Sequence, residues 1–453
     1  MILSLSLVVL SQNSQAQIQK IIDLSQSDNQ VMKHLHQLCF DIGARPTGSP
    51  ELQKAEKWAV AKFKSFGYAN AHLEKVTDVP VGFQRGPNNS ARMVEPFESE
   101  IKFSTNCWMP GTKGAVKGPV VLAPRTMEEL AKVKDSLKGA WVLASATVGM
   151  RGPQIPAKEA DLTKAIFESG VLGIVYGSKN DQLFSHGTWK DKTFEKRPTT
   201  VEITVRKDDW DRLNRNIRFG RTTVAEFNVD NRWIKGPIAV HNVVAEIRGT
   251  EKPDEVVILG GHLDSWNTPG SQGANDNGTG SCATLEAARL IMKSGLKPKR
   301  TLRFVLFTGE EQGLVGSRGY VNQHAAELEK ISACIVDDHG SNYESGTPGL
   351  SMWAPYFVPV FDLMTKAYPT MPMKFTEVEK YTASGGSDQI AFWEKKVPSF
   401  YMNKAGTQEY PHVWHTQYDR YDEVVPEYLK QMSTSMAVVS FNIANADSML
   451  PRP

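Results

Sequence analysis

Eight acidic or histidine side chains in the second half of the chain stand directly after apolar segments or in glycine-rich turns. They are His262, Asp264, Asp276, Glu310, Glu311, Asp337, Asp338 and His415. Carboxylate and imidazole groups without thiolates are the ligands typical of zinc, and also of cobalt or manganese. The residue types therefore predict a metal centre.

Apolar segments rich in β-branched residues precede most of these side chains, and helical patterns separate them. The segments are VVILGG (256–261), TLRFVLFTG (301–309), SACIVDD (332–338) and PSFYM (398–402). Near-continuous apolar strands alternating with helices predict a largely parallel sheet covered on both faces. Because ligands bind at the carboxyl ends of such strands, we expect the acidic and histidine groups to meet at one edge of the sheet.

A group of carboxylates this close together needs a cation. Without one they would repel each other, and some would have to stay protonated. Three carboxylates and two imidazoles are enough to hold two ions that share one bridging carboxylate, and Asp276 suits that place because it follows a glycine-rich turn and precedes a helix. Two dications with three carboxylates keep a residual positive charge, which favours a bound hydroxide.

The two adjacent glutamates cannot easily bind one centre together, because their side chains point in different directions. We assign Glu311 as the ligand and Glu310 as the general base. Asp264 is predicted to hold the His262 imidazole in the tautomer that binds metal. The pair Asp337 and Asp338 leaves the choice of ligand open.

The chain of 453 residues is long enough for several domains or one large α/β domain with an insertion. Its first residues, MILSLSLVVLSQNSQAQ, predict a signal peptide over 1–16, and hence a secreted or periplasmic protein, although a buried first helix is the alternative. The peptidase part is predicted over 17–110 and 237–453. A β-rich insert is predicted over 111–236, where short apolar runs are bounded by glycine and proline.

Composition limits the partners. The formal net charge is only +2, which argues against a nucleic-acid binder, and no later apolar run approaches the length of a membrane span. The four cysteines form no CxxC pair, which argues against a thiolate zinc site. One or two disulfide bridges stay open if the chain is exported.

The motifs GGHLDSW, GANDNGTG, TGEEQGLVGS, DDHG and WHTQYD together resemble those of the co-catalytic zinc exopeptidases, which include aminopeptidase Y and the glutamate carboxypeptidases. The resemblance extends through DIGARPTGS near the start and covers most of the mature chain. It implies a mixed, largely parallel central sheet flanked by helices, of the zinc-exopeptidase and phosphorylase/hydrolase-like type. The insert is similar to the protease-associated domain of such enzymes.

The resemblance also implies roles for individual residues. The positions that match the family's ligands to two Zn²⁺ ions are His262, Asp276, Glu311, Asp338 and His415. Glu310 matches the general base, Asp264 the aspartate behind the ligands, and Asp276 the bridging carboxylate. Asp338 is preferred to Asp337 on the aspartate-x-glycine motif. The chain departs from the family at Gln389, where histidine is frequent, and at Arg420, where threonine is frequent.

The implied activity is hydrolysis of terminal peptide bonds in short peptides. A water between the two ions would become the attacking hydroxide, with Glu310 as the base. Aminopeptidase, carboxypeptidase and dipeptidase modes stay open, as does a homodimer. Two other functions stay open as well: an acyltransferase with a single zinc, like the glutaminyl cyclases, and a binding protein without catalysis. The remaining histidines singled out, taken as ordinary surface or core residues, are His34, His36, His186 and His324.

Overall fold

The central sheet has six strands. The computed structural model describes residues 11–149 and 160–453, so the first ten residues of the predicted signal peptide lie outside it. In spatial order the strands are β1 (His72–Arg85), β10 (Asn231–Ile247), β12 (Arg300–Phe307), β11 (Lys252–His262), β13 (Ile331–Val336) and β16 (Ser399–Tyr401). The last four run parallel, whereas β10 is antiparallel to both β1 and β12. The prediction of a mixed, largely parallel sheet is confirmed.

The apolar character of the parallel strands follows from burial on both faces. In β11, Val257 and Leu259 belong to one hydrophobic cluster, whereas Val256 and Ile258 belong to another on the opposite face. Since successive side chains of a strand point to opposite faces, every position must then be apolar. All four of these residues are buried.

Helices cover both faces of the central sheet. The structure describes α1 (Gln12–Asp28), α2 (Val31–His36), α3 (Pro50–Phe66), α4 (Met127–Leu137), α5 (Ala160–Glu168), α6 (Lys207–Arg218), α7 (Thr279–Ser294), α8 (Val315–Gln323), α9 (Ala354–Ala367), α10 (Gln389–Trp393), α11 (Tyr410–Val413) and α12 (Pro426–Asn445). α7 and α12 lie against one face, and α8 and α10 against the other. Among the described helices, none combines the length and the apolar character that a bilayer crossing requires.

The third helix begins as its sequence predicts. Ser49 caps the amino terminus by accepting a hydrogen bond from the backbone N–H of Leu52, and Pro50 occupies the first turn. Ala55, Ala59 and Phe63 form its buried face, as their spacing indicates. Gly67 ends the helix in the left-handed conformation, which glycine adopts without strain.

A second sheet of eight strands forms between β1 and β10. In spatial order these are β3 (Ser99–Glu100), β2 (Ser90–Glu95), β9 (Val224–Asn228), β5 (Ala115–Leu122), β6 (Trp141–Val148), β7 (Gly173–Ser178), β8 (Val201–Val205) and β4 (Phe103–Ser104). The chain leaves the central sheet at Arg85 and returns at Asn231, and these two residues pair with each other.

The second sheet extends beyond the predicted insert at its amino-terminal side. β2, β3 and β4 precede Gly111, and β10, which starts at Asn231, belongs to the central sheet. The predicted start at 111 differs from the observed one because of composition. The glycine-bounded apolar runs from 111 onward are the buried inner strands. β2 to β4 are short and partly polar, so they lack that signal. A small third sheet consists of β15 (Lys374–Glu377), β14 (Tyr343–Gly349) and β17 (Asn403–Ala405).

An apolar cluster joins the second sheet's segments to the central sheet. It contains side chains from β1 and β10, such as Val81 and Val240, together with Trp108 and Trp189 from the inserted part. Trp266, from the loop after β11, belongs to the same cluster. The inserted part is therefore packed against the loop that follows His262.

Candidate metal centre

The carboxyl ends of the parallel strands bring most of the predicted side chains together. His262 is the last residue of β11, the Glu310–Gln312 turn follows β12, and Asp338 follows β13. Two groups of side chains each place three ligand atoms within 4.8 Å of one another. The first is His262, Asp276 and Asp338, and the second is Asp276, Glu311 and His415.

Asp276 lies between the two histidines. Its Oδ1 is 3.3 Å from Nε2 of His262, and its Oδ2 is 3.2 Å from Nε2 of His415. Nε2 of His262 is also 3.5 Å from Oδ2 of Asp338, and Nε2 of His415 is 3.2 Å from Oε2 of Glu311. One carboxylate thus belongs to both groups, with a separate oxygen facing each, which is the arrangement of a bridging ligand.

The backbone around Asp276 departs from regular helix. Residues Ala274–Gly278 form a kinked turn before α7, and Asp276 and Asn277 have non-helical backbone angles. Gly273 precedes the turn in the left-handed conformation. Asn275 donates its backbone N–H to Oδ1 of Asp419, and the Asn277 side chain donates to the carbonyl of Asp337, so the turn is fixed on both sides of Asp276.

Asp337 and Asp338 face different partners. Asp338 points to His262, whereas Oδ2 of Asp337 lies 2.6 Å from Nζ of Lys404. Successive residues at a strand end project in opposite directions, so only one of the two reaches the cluster. The geometry favours Asp338, the residue that the motif indicates.

Asp264 contacts the His262 imidazole mainly through its main chain. Nδ1 of His262 is 3.0 Å from the carbonyl oxygen of Asp264, while the nearer carboxylate oxygen is 3.7 Å away. The Asp264 carboxylate instead accepts hydrogen bonds from the backbone N–H groups of Glu310 and Glu311 and from the hydroxyl of Thr47. The main chain therefore makes the shorter contact to the imidazole, and the side chain orients the turn that carries both glutamates.

The turn after β12 presents Glu310 and Glu311 in different directions. Gly309 has a φ of 64°, a left-handed conformation that lets the chain turn sharply at the strand end. Glu311 reaches His415, whereas Glu310 belongs to neither group of ligand atoms. Burial, followed by the charges of Glu311 and Asp338, raises the pKa of Glu310 well above its usual value, so this carboxyl favours holding a proton.

In the cluster, the negative charges of closely spaced carboxylates are balanced by positive charge on the imidazoles. Burial lowers the pKa of His415, but Glu311 and Asp276 outweigh it and raise the value to about 10. Burial likewise lowers the pKa of His262, and Asp338, Asp264 and Asp276 raise it well above normal. Burial and the charge of Asp276 raise the pKa of Glu311 to about 7. The protein alone therefore favours a proton on each imidazole to offset the carboxylates.

These side chains fit metal ions. Nε2 of His262 and Oε1 of Glu311 are buried and have no hydrogen-bond partner among the described residues, whereas most buried polar atoms in proteins have one. A dication at each group would supply the positive charge that the imidazoles otherwise take up as protons. It would also bind the lone pairs of Nε2 and Oε1. The donors are nitrogen and oxygen atoms only, as zinc, cobalt or manganese accept.

His415 adopts a backbone conformation that non-glycine residues rarely show, with a φ of 61°. Its carbonyl oxygen accepts a hydrogen bond from Thr268 and a longer one, 3.4 Å, from the N–H of Ser185. The imidazole makes an edge contact with Trp266. Strain of roughly 1–3 kcal/mol persists only where neighbours enforce it, and such positions cluster at functional sites.

Three residues near the centre are not predicted as part of it from the sequence. They are His186, Tyr401 and Tyr410. His186, taken as an ordinary histidine, is an electrostatic neighbour of His415, and its buried Nε2 has no hydrogen-bond partner among the described residues. The hydroxyls of Tyr401 and Tyr410 are likewise buried without a described partner. After burial, the nearby charges of Asp338 and Asp276 raise the pKa of both tyrosines.

The signals that could have revealed these residues are weak. Tyr401 ends the fourth parallel strand and so reaches the same edge as the other groups. His186 depends on a contact between segments far apart in sequence, the bridge between Phe184 and Thr416, which local patterns do not encode. The histidines His34 and His324 pair with Glu286 and with Glu74, away from the ligand groups, in agreement with their ordinary interpretation.

Comparisons with known proteins show which families and folds this chain resembles. Residues 242–440 match the model of peptidase family M28. Carboxypeptidase Q of Mus musculus is 27% identical over 427 residues, which cover 94% of this chain and 87% of that protein. The family match spans both ligand groups, and the match to carboxypeptidase Q covers 94% of the chain.

Solved structures show the same fold. A peptidase M28 precursor from Shewanella amazonensis SB2B superposes with a TM-score of 0.71 at 24% identity, covering 97% of this chain and 99% of that one. A zinc aminopeptidase from Bacillus subtilis superposes with a TM-score of 0.58 at 18% identity, covering 90% and 93%. Taken with the match over residues 242–440 and the two ligand groups, these findings show that the chain is a metallopeptidase similar to the members of peptidase family M28.

Proposed function

We propose that the chain is a zinc exopeptidase that holds two Zn²⁺ ions and hydrolyses the terminal peptide bond of short peptides. The observation that carries this proposal is the placement of Asp276, which turns one carboxylate oxygen toward His262 and the other toward His415. A shared carboxylate between two groups of ligand atoms supports two ions rather than one. Zinc is supported by the donor set and by the zinc aminopeptidase of similar fold.

The ligands follow from the two groups of atoms. One ion would be held by His262, Asp276 and Asp338, and the other by Asp276, Glu311 and His415. When bound, the ions polarise the scissile carbonyl and lower the pKa of the attacking water. With Nδ1–H of His262 donating to the Asp264 carbonyl oxygen, Nε2 is the nitrogen that would bind the metal in place of a proton.

Glu310 is placed to move the proton. Its carboxylate adjoins the ligands without belonging to either group, and Asp264 fixes its backbone through the Glu310 N–H. It accepts a proton from the attacking water and delivers that proton to the leaving amine nitrogen, so that the carboxylate is regenerated in each turnover. The hydroxyls of Tyr401 and Tyr410 are available to donate a hydrogen bond to the substrate carbonyl oxygen.

The paired ligand groups argue against the two alternative functions. An acyltransferase with a single zinc needs one group of ligands, and a binding protein without catalysis needs neither the ligands nor the buried Glu310. A short peptide is thus the proposed partner. Export by the predicted signal peptide and a homodimer stay predictions.

The test is to count bound metal while measuring turnover. We expect about two zinc ions per chain, and hydrolysis of unblocked dipeptides that stops on chelation and returns with zinc. One zinc per chain with cyclisation of N-terminal glutamine would favour the acyltransferase. Zinc binding without turnover of any short peptide would favour the binding protein.

A further inference from the structure

The inserted part reaches the loop that carries His415 through its residues 181–185. The N–H of Leu183 donates to the side-chain oxygen of Gln417 at 2.7 Å. The N–H of Ser185 donates to the His415 carbonyl oxygen at 3.4 Å. The 181–185 segment, which follows β7 of the second sheet, therefore contacts the backbone of a predicted metal ligand.

The His415 carbonyl oxygen has a second donor, which lies in the loop after β11. The hydroxyl of Thr268, a buried residue, donates to this oxygen at 2.8 Å. Because His415 has a φ of 61°, its conformation costs free energy and persists only where neighbours hold it. The two donors belong to separate parts of the chain, so the backbone of His415 is held only while both parts keep their positions.

Arg85, the last residue of β1, binds both of these parts with one guanidinium group. Its Nε donates to the carbonyl oxygen of Asn267, the residue before Thr268, at 2.8 Å. Its Nη2 donates to the hydroxyl of Ser185 at 3.3 Å. The guanidinium thereby contacts one donor to the His415 carbonyl directly and the other through the adjacent residue.

The remaining hydrogen bonds of Arg85 fix it where the inserted part joins the central sheet. Nη2 also donates to the carbonyl oxygen of Thr105 at 2.8 Å, and Nη1 donates to the Thr105 hydroxyl at 2.8 Å and to Oδ1 of Asn231 at 3.1 Å. Among the described residues, no carboxylate accepts from this guanidinium. Burial lowers the pKa of Arg85 to about 10, so the group stays charged at neutral pH. Five N–H donors in a planar fork suit such a set of oxygen acceptors.

We propose that Arg85 is a positioning residue for the second group of ligand atoms. It joins the loop after β11 to the 181–185 segment, and through their two hydrogen bonds it holds His415 in place to bind metal. The proposal rests on the proposed function, since the second ion is part of it. The inserted part thus completes the metal centre by way of this one side chain.

The effect should be confined to one of the two ions. His262 ends β11, and its Nδ1 contacts the carbonyl oxygen of Asp264, so its position does not depend on the partners of Arg85. Residues behind a metal ligand typically change metal affinity about 10–100-fold when they are replaced. A loss at one ion with the other as internal reference separates positioning from a general loss of structure.

The experiment titrates the full chain with chelator-buffered zinc and determines the dissociation constant of each ion. It compares the wild type with Arg85→Met, Thr268→Val and Arg232→Met. Methionine fills the site without hydrogen bonds, and valine removes only the hydroxyl that binds the His415 carbonyl. Arg232 is the matched control, because it is half exposed on β10 and its guanidinium pairs with Asp230 at 2.8 Å.

Arg85→Met should weaken one ion at least about tenfold and leave the other unchanged. Thr268→Val should weaken the same ion, and Arg232→Met should match the wild type. Anomalous diffraction at limiting zinc should show the loss at the peak beside His415. A loss at the peak beside His262, equal weakening of both ions, or unchanged constants would overturn the assignment.

The milder variant keeps the test decisive if Arg85→Met does not fold. Unchanged zinc affinities in Thr268→Val alone would overturn the role given to the His415 carbonyl contacts, and with it the assignment of Arg85. Fewer than two zinc ions bound to the wild type would instead overturn the proposed function, and this assignment with it.

Discussion

Nε2 of His262 lies 3.3 Å from Oδ1 of Asp276, although a glycine-rich loop separates the two residues in the chain. The contact forms because His262 ends β11 and the loop returns to start α7 beside it. The second oxygen of Asp276 faces His415, so one side chain contacts a histidine in each of the two groups of ligand atoms. Both groups of ligand atoms therefore depend on Asp276.

Replacing the shared carboxylate should affect both ions. In Asp276→Asn, we expect the zinc content to fall below one ion per chain, because each group of ligand atoms loses a charged member. Asp338→Asn changes only the first group and should retain the ion of the second. Mass spectrometry of metal content after dialysis measures the difference. Equal zinc content in the two variants would contradict a bridging role for Asp276.

Glu310→Gln should remove most turnover while preserving the metal. Loss of a general base or acid typically costs about 10²–10⁴-fold in rate, and Glu310 belongs to neither group of ligand atoms. Steady-state kinetics on an unblocked dipeptide measures the turnover, and zinc analysis measures the metal content. Glu394→Gln is the control, because that glutamate is half exposed and pairs with Arg318. A near-normal kcat in Glu310→Gln would show that another group moves the proton.

Removing zinc should lower stability as well as activity. Without cations the buried carboxylates are balanced by protons on His262 and His415, so bound ions would stabilise the folded chain. Ligand at one hundred times its Kd contributes about 2.7 kcal/mol per site. Thermal unfolding with zinc, with chelator and after zinc is restored measures the effect. An unchanged Tm would mean that the ligand groups do not bind zinc in the folded state.

A pH dependence of stability is expected at Glu56 of α3, which belongs to neither group of ligand atoms. Burial raises the pKa of this carboxyl to about 8, and its oxygens contact His241. Because the folded state holds the proton more tightly than the unfolded state, stability falls as the pH rises from the unfolded pKa of about 4.3 to 8. The loss is at most about 1.4 kcal/mol per pH unit.

Urea unfolding of the wild type and Glu56→Gln at several pH values between 5 and 8 tests this. The glutamine keeps the shape of the side chain but cannot ionise, so the variant should lack the Glu56 part of the pH dependence. The wild type should therefore lose free energy of unfolding relative to the variant as the pH rises. Parallel curves for the two proteins would exclude a raised pKa at Glu56.

The sequence predicts the strands of the centre because their signals are local. Burial on both faces makes β11, β12 and β13 continuous apolar runs, and the polar residues that follow each strand must reach one edge of a parallel sheet. The helix after Ser49 is equally local, since its cap and its first proline are adjacent in the chain.

The parts that the sequence does not predict depend on contacts distant in the chain. The start of the second sheet at β2 cannot be recognised from composition, because its outer strands are short and partly polar. The proximity of His186 to His415 follows from the bridge between Phe184 and Thr416. The hydrogen bonds from the Asp264 carboxylate to the glutamate turn depend on how two strand ends meet, which spacing alone leaves open.

The most direct test of the account is a crystal structure of the zinc-loaded chain with anomalous diffraction data at the zinc absorption edge. We expect two anomalous peaks about 3.5–4 Å apart, one beside His262 and Asp338, the other beside Glu311 and His415, with Asp276 between them. A single peak at the end of the sheet, or two peaks that do not share Asp276, would contradict it.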